Sequence, residues 1–368
     1  MIFESVPNFS EGRSADVIDG VVAATAPAHL LDVDADPDHN RVVVSIAGDA
    51  DEITNGLLGA IGEAARSIDL ATHRGVHPRV GAADVVPIIP LGATKLDDCR
   101  RLAHEIGRRV WSDLGIPVYF YGHGEGVTLA DIRSGRARPV LGGPEHHDTA
   151  GALCIGARQA LVAFNVILYG VDLVAARAVA RSIRESSSAG LRGVQALAFE
   201  LSGDRVQLSM NLFRIDETSP AAVTAELERR GVSLGARQTV GLCPALVAEA
   251  SAGGRLLEGR LAAACASAGA DACQKRGGEE YVALARRLRG EARELAELAA
   301  DQDAILGGAE RAAALIRVLQ AAQVLEPEIA ELLDAAATGF RAAVSPATEA
   351  VYRARVDALD ARLAGGGV

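Results

Sequence analysis

His29-Leu-Leu-Asp-Val33, Asp34-Ala-Asp-Pro-Asp-His-Asn40 and Arg41-Val-Val-Val-Ser-Ile-Ala47 decide the fold class. The outer runs are rich in Leu, Val and Ile and read as strands, and Pro37 marks the polar stretch between them as a loop. Apolar residues at helical spacing flank the pair, at 14–26 and at Asp51–Ile68. Strand pairs interleaved with helices predict an α+β protein, with helices covering one face of each sheet. Residues 2–6 add a short strand. Val80–Leu91 reads as a buried strand, Lys95–Leu114 as a helix ending near Gly115, and Pro117–Tyr121 as another strand. Gly122–Gly151 is rich in Gly, His and Pro and reads mostly as loop. Leu153–Leu168 reads as two strands or one bent strand, and Asp172–Glu185 as a helix.

Further along, Ser186-Ser-Ser-Ala-Gly190 reads as a linker. Val194–Leu201 and Val206–Phe213 are strand-like runs joined by the hairpin-type turn Ser202-Gly-Asp-Arg205. A helix at Pro220–Arg230 and a strand at Val232–Leu242 complete a second unit. Beyond about Gly253, Ala, Leu, Glu and Arg dominate. Gly277–Ala304, Ala309–Gln323 and Pro346–Leu363 have helical periodicity, so an all-helical C-terminal segment is expected. The expected organisation is two α/β-layered subdomains at 1–180 and 181–253, followed by a helical region at 254–368.

The composition narrows the class. With 368 residues, the chain suits two or three domains. Apolar residues make up 49% and the net charge is −11, which argues for an ordered protein and against nonspecific nucleic-acid binding, since affinity for a polyanion comes from neutralising phosphates. A locally basic pocket is still allowed. The N-terminus lacks a secretory pattern, and no run approaches the apolar length that spans a bilayer, so no membrane association and a cytoplasmic location are expected. Cys99, Cys154, Cys243, Cys265 and Cys273 are scattered with no CxxC pair, and are expected to be buried, reduced thiols rather than metal ligands.

Three segments carry candidate chemistry. Val6-Pro-Asn-Phe-Ser-Glu-Gly-Arg13 leaves a strand and enters a helix, whose exposed N–H groups can hold an anion. His73-Arg-Gly-Val-His-Pro-Arg-Val-Gly-Ala-Ala-Asp84 packs two His, two Arg and a Pro ahead of the buried strand. Gly75 and Pro78 make a helix improbable there, so a metal pair at the four-residue spacing of His73 and His77 is rejected. An imidazole titrating near neutrality moves protons in either direction, and arginines suit carboxylates. Gly142-Gly-Pro-Glu-His-His-Asp-Thr-Ala-Gly-Ala152 permits close backbone approach to a ligand but is neither a P-loop nor a dinucleotide fingerprint.

Together these segments resemble the glutamate formiminotransferase family over roughly residues 1–250. Val6–Arg13 is similar to the family's opening signature. Leu31-Asp-Val-Asp34, Asn40-Arg41 and His77-Pro-Arg-Val-Gly-Ala-Ala-Asp84 follow in order, as do Thr149-Ala-Gly-Ala152, Gly156-Ala-Arg158, Ala163-Phe-Asn165, Ile183–Ser187, Val206–Asn211 and Val240-Gly-Leu-Cys-Pro244. Leu141-Gly-Gly-Pro-Glu and His147-Asp148 depart from the family pattern.

The resemblance implies transfer of the formimino group of N-formimino-L-glutamate to N5 of tetrahydrofolate, a co-substrate, without a metal, in histidine breakdown. It implies that His77 is the acid–base catalyst, assisted by Asp34 as an orienting group and Arg79 as a carboxylate clamp. Asn8, Ser10, Glu11, Asn40 and Arg41 are expected to line the substrate pocket. Gly142, Gly143, Pro144, His147, Thr149 and Gly151 are expected to form the folate loop, and Ser209 and Asn211 the opposite wall. A homodimer is expected. The same pocket would also serve formyl transfer between 5-formyltetrahydrofolate and glutamate, and a noncatalytic folate-binding protein would keep the fold. Some members carry a helical cyclodeaminase domain. Ser251-Ala-Gly-Gly254 and Ala300-Asp-Gln-Asp303 faintly resemble it, but its Pro-Gly-Gly-Gly-Ser loop is absent and the tail is about half the expected length, so a structural or oligomerising remnant is expected.

Overall fold

Val6-Pro7 interrupts the first strand, and that break organises the first sheet. Strands β1 (Ile2–Ser5) and β2 (Asn8–Phe9) lie end to end, each pairing with β4 (Arg41–Gly48) on one side and β5 (Ala83–Leu91) on the other. Between them the Pro7 carbonyl accepts from Val44 N–H at 3.0 Å. The computed structural model describes residues 1–91, 94–202 and 205–244, together with Val247, Arg255, Leu257, Arg260 and Leu261.

The sheet continues outward from this centre. β3 (His29–Asp36) pairs antiparallel with β4. On the other side, β5 pairs in parallel with β7 (Leu153–Ala157), which pairs in parallel with β6 (Val118–Gly122). β3 runs three residues beyond the expected Val33, so the following loop shrinks to a turn. Its acidic residues are tolerated because β3 pairs only with β4 among the described residues and leaves Asp34 and Asp36 partly open to solvent. β5 starts at Ala83 rather than Val80, because the backbone of 80–82 is instead tied to Ala150 and Ala152.

Helices α2 (Ala50–Ser67) and α3 (Leu96–Leu114) cover one face, burying Ile53, Leu57, Ile61, Ile106 and Val110 against Val86 and Ile88, while α1 (Ala15–Ala23) packs on α2. Asp49 and Glu52 form a reciprocal cap at the start of α2, and Gly115, at φ +66°, ends α3 where the sequence reading placed its end. The segment 122–151 is largely turns, with one short helix, α4 (Leu129–Arg133), capped by Thr128.

Leu153–Leu168 is a pair of strands lying in different sheets. After β7, strand β8 (Val162–Tyr169) opens a four-stranded antiparallel sheet ordered β11–β8–β10–β9, where β9 is Val194–Leu201, β10 Arg205–Leu212 and β11 Ser233–Val240. The changeover between sheets thus falls at 158–161, ahead of the expected 180/181 boundary. Helices α5 (Leu173–Ile183) and α6 (Pro220–Arg229) pack on one face of this sheet, where Val206, Leu208, Met210 and Leu212 are buried at every second position of β10. The β8-α5-β9-β10-α6-β11 order is a split β-α-β arrangement.

Residues Met1–Leu242 form one compact unit and Cys243–Val368 another. In the second, backbone hydrogen bonds join Cys243 to Arg255 and Leu257. The three C-terminal helices expected from the sequence, and Cys265 and Cys273, lie outside the described residues. Cys99, Cys154 and Cys243 are buried, and none is in a disulfide. Among the described residues no helix is long and apolar enough to cross a membrane.

Candidate active site

The loop before β5 is held by one arginine. Arg79 donates from Nε and Nη2 to the His77 carbonyl, at 3.2 and 3.0 Å. Nη1 donates to the Asn40 carbonyl (3.1 Å), and Nη2 also to the His39 carbonyl (3.0 Å). Nη1 also meets the His73 ring at 2.8 Å. Burial, then the Arg79 charge, push His73 below its ordinary pKa, which suits it to accept from the guanidinium. Gly75 lets this knot close, since a Cβ there would meet the His39 carbonyl at 2.4 Å. Arg79 was expected to clamp a substrate carboxylate. Its N–H groups are instead committed to the carbonyls of His39, Asn40 and His77 and to the His73 ring, and so hold the His77 backbone in place.

His77 Nδ1 lies 2.7 Å from the Pro78 carbonyl. A carbonyl only accepts, so Nδ1 carries the proton and Nε2 presents its lone pair. Burial is the largest cause, followed by the charges of Arg41 and Arg133, that holds the ring far below the ordinary histidine pKa; Asp84 opposes this. The ring sits in a three-ring cluster with His39 (centroids 6.2 Å apart) and Phe199 of β9 (5.9 Å), which brings the second sheet against the His77 loop.

His39 was not singled out from the sequence. It is buried, its Nδ1 lies 2.7 Å from Asp36 Oδ2, and its Nε2 is 3.4 Å from Gln207 Nε2 on β10. Burial opposes ionisation of Asp36, but the His39 ring and backbone N–H outweigh it and keep that carboxyl below its usual range. The same turn is tied to the β9–β10 hairpin by Asp38, which accepts from Ser202 Oγ and from Arg205 at 2.8 Å.

Beneath His77 lies a buried charge cluster. Asp84, fully buried, accepts from Arg41 at 2.7 Å, Arg133 at 3.2 Å and the Val80 N–H at 2.6 Å. Burial disfavours its charge, but the two arginines prevail and keep its pKa depressed. Two cations around one anion leave a net positive site in an acidic protein, the arrangement suited to a carboxylate substrate. Arg41 also donates to Asn8 Oδ1 at 3.0 Å. Arg41 and Asn8 are thus bonded to each other within this cluster, and Asp84 and Arg133 are partners that the sequence does not single out.

Other expected contributors have structural occupations. Glu11 Oε1 accepts from the N–H groups of Gly12, Arg13 and Ser14 at 2.7–2.9 Å, so the chain's own carboxylate occupies the N–H groups just ahead of α1. Ser10 is buried and donates to the Gly81 carbonyl at 2.8 Å. Asn40, at φ +48°, accepts from Gly12 N–H and donates to the Arg74 carbonyl, each at 2.9 Å. Asp34 accepts from Gly241 N–H at 2.7 Å, and the carboxylate whose charge acts on His77 is Asp84.

Gly142, Gly143, Pro144 and His147 lie on a surface segment ending in a tight turn where His147 and Gly151 exchange backbone hydrogen bonds at 2.9 Å. Thr149 and Ala150 tie this turn to Leu70 and Ala82, which lie on either side of His77 in the chain. Gly151, at φ +69°, comes so close to the Val80 carbonyl that a Cβ would meet it at 2.1 Å. On β10, Ser209 and Asn211 occupy the face opposite the helices, the face that carries Gln207. Asn165 of β8 stands beside Ser209, with Gln238 of β11 next to it, giving a polar row across the sheet. Among the described residues, no group of three or more His, Cys, Asp or Glu could hold a metal ion.

Comparison with known proteins agrees with this architecture. Residues 2–158 match the formiminotransferase domain, N-terminal subdomain. The chain is 38% identical over 269 residues to a glutamate formimidoyltransferase of Thermoplasma acidophilum, covering 66% of this chain and 88% of that protein. It is 33% identical to a glutamate formimidoyltransferase of Streptococcus pyogenes, covering 66% of this chain and 89% of that protein. With a formimidoyltransferase-cyclodeaminase of Sus scrofa it shares 35% identity over 66% of its own length and 50% of the relative's. The chain belongs to the formiminotransferase family and is a transferase enzyme.

Proposed function

We propose that the chain moves the formimino group of N-formimino-L-glutamate to N5 of tetrahydrofolate, giving glutamate and 5-formiminotetrahydrofolate, with His77 as general acid and base. The observation that carries this reading is the His77 imidazole, whose Nδ1–H is engaged by the Pro78 carbonyl while Nε2 is left for proton exchange. His77 takes the proton of the attacking nitrogen as the new carbon–nitrogen bond forms. It returns that proton to the glutamate nitrogen as the old bond breaks, and so ends the turnover as it began. The burial and positive charge that keep the ring neutral also make its protonated form a willing donor.

The net positive Arg41–Asp84–Arg133 cluster supports a dicarboxylate donor. Gly142, Gly143, Pro144, His147, Thr149 and Gly151 are proposed to border the folate as co-substrate, and Ser209, Asn165 and Asn211 to face the edge groups of its pterin. Two substrates held against each other gain rate from proximity as well as from proton transfer.

Purified protein offered formiminoglutamate with tetrahydrofolate, and separately 5-formyltetrahydrofolate with glutamate, is expected to turn over the first pair. Turnover of the second pair alone would overturn the reading in favour of formyl transfer. Folate binding with turnover of neither would identify a noncatalytic folate-binding protein.

A further inference from the structure

One arginine bonds the His77 carbonyl and two others act on its ring by charge, and the three differ in what their donors are doing. The N–H groups of Arg79 are spent on the carbonyls of His39, Asn40 and His77 and on the His73 ring. Arg41 is buried and bonded to Asn8 and Asp84. Arg133 touches Asp84 through Nη2 at 3.2 Å, while its Nε–H is buried with no acceptor among the described residues. Its side chain keeps 21% exposure, so part of it borders open space as well as the buried cluster. A buried donor without a partner in a native structure marks a place where another acceptor belongs.

Its setting is firm. Arg133 is the last residue of α4, which Thr128 caps and which Ile132 anchors among Val85, Tyr119 and Tyr121. Through Asp84, which also accepts from Val80 N–H, it is linked to the His77 loop. The charge of Arg133 is also one of those acting on the His77 ring.

We infer that Arg133 binds the α-carboxylate of the amino-acid donor, the carboxylate attached to the carbon that bears the departing nitrogen. The inference rests on the formimino-transfer reading. His77 must reach that nitrogen to protonate it. The α-carboxylate is one carbon away from the same atom, so its partner must also border the imidazole, whereas the γ-carboxylate lies two methylenes further off. Arg133 is the arginine of these three with an unused Nε–H donor on a side chain that is only partly buried. A guanidinium also presents its N–H groups as a fork that matches a carboxylate, and Nε with one Nη supplies such a fork.

The test uses the full chain with Arg133→Gln and Arg133→Lys. Calorimetry with L-glutamate is expected to show binding about 10- to 100-fold weaker in R133Q than in the native protein. KM for N-formimino-L-glutamate should rise by a similar factor, with less change in kcat. R133K keeps a positive charge beside Asp84 but loses the fork, so it folds even where R133Q does not, and is expected to bind glutamate about tenfold more weakly. Two donor analogues locate the contact. The penalty should persist on a donor whose γ-carboxylate is an amide and vanish on one whose α-carboxylate is an amide. Glutamate affinity unchanged in both variants, or a penalty that survives on the α-amide donor, would overturn the assignment while leaving the proposed reaction standing. A native protein that binds no glutamate and uses no formimino donor would overturn both.

Discussion

His77→Ala is expected to lower kcat by about 10²- to 10⁴-fold, the usual worth of a positioned acid–base group, with folate binding retained. The variant isolates the imidazole because Arg79 grips the His77 backbone carbonyl, which alanine keeps. The ring's contacts with Phe199 and His39 are lost, but the loop stays tied to Asn40 and His39 through Arg79. Steady-state kinetics with parallel folate titrations check this, and unchanged turnover would refute the catalytic role. The depressed pKa also fixes a sign. Below the ordinary histidine value of about 6.5, the unfolded chain binds a proton that folded His77 does not. His77 therefore makes stability fall as pH drops from there toward its lower folded pKa, and H77A removes that slope.

Asp84→Ala is expected to destabilise the protein by about 3–5 kcal/mol, because it leaves Arg41 and Arg133 close together with their shared counter-charge gone. A drop in the urea midpoint measures it. Asp84→Asn should cost less, since an amide oxygen still accepts from Val80 N–H. The Asp84 carboxyl is held below its ordinary pKa in the fold. Its contribution is therefore complete above about pH 3.9 and is lost as pH falls through the lower folded value. The asparagine variant should show a shallower acid-side loss. A midpoint unmoved in D84A would mean that the cluster is not the buried ion network described.

What the sequence disclosed follows the range of the interactions involved. Helices α2 and α3 were legible because their apolar spacing and caps are local, and Gly115 ends α3 by its own backbone preference. The β9–β10 hairpin was legible for the same reason. The extension of β3 was not, because Asp34 and Asp36 look like loop residues until β4 pairs with them. His77 stood out by the composition of its loop, but the work of its neighbours was hidden. Glu11 reads as a pocket residue until its carboxylate is seen capping three successive N–H groups. Arg79 reads as a clamp until the carbonyls it holds are located. His39 meets Gln207, 168 residues away, and Arg133 meets Asp84, 49 residues away; no local pattern reports such pairs.

His77 is expected to be neutral, protonated on Nδ1, with Nε2 open to accept a proton. Nitrogen-15 NMR of histidine-labelled protein, with the His77 signals assigned by their absence in H77A, reads this directly. The expected result is a neutral Nδ1–H tautomer maintained from about pH 8 to about pH 5. A ring that charges with a midpoint near its ordinary value of about 6.5, or a neutral ring carrying its proton on Nε2, would contradict it.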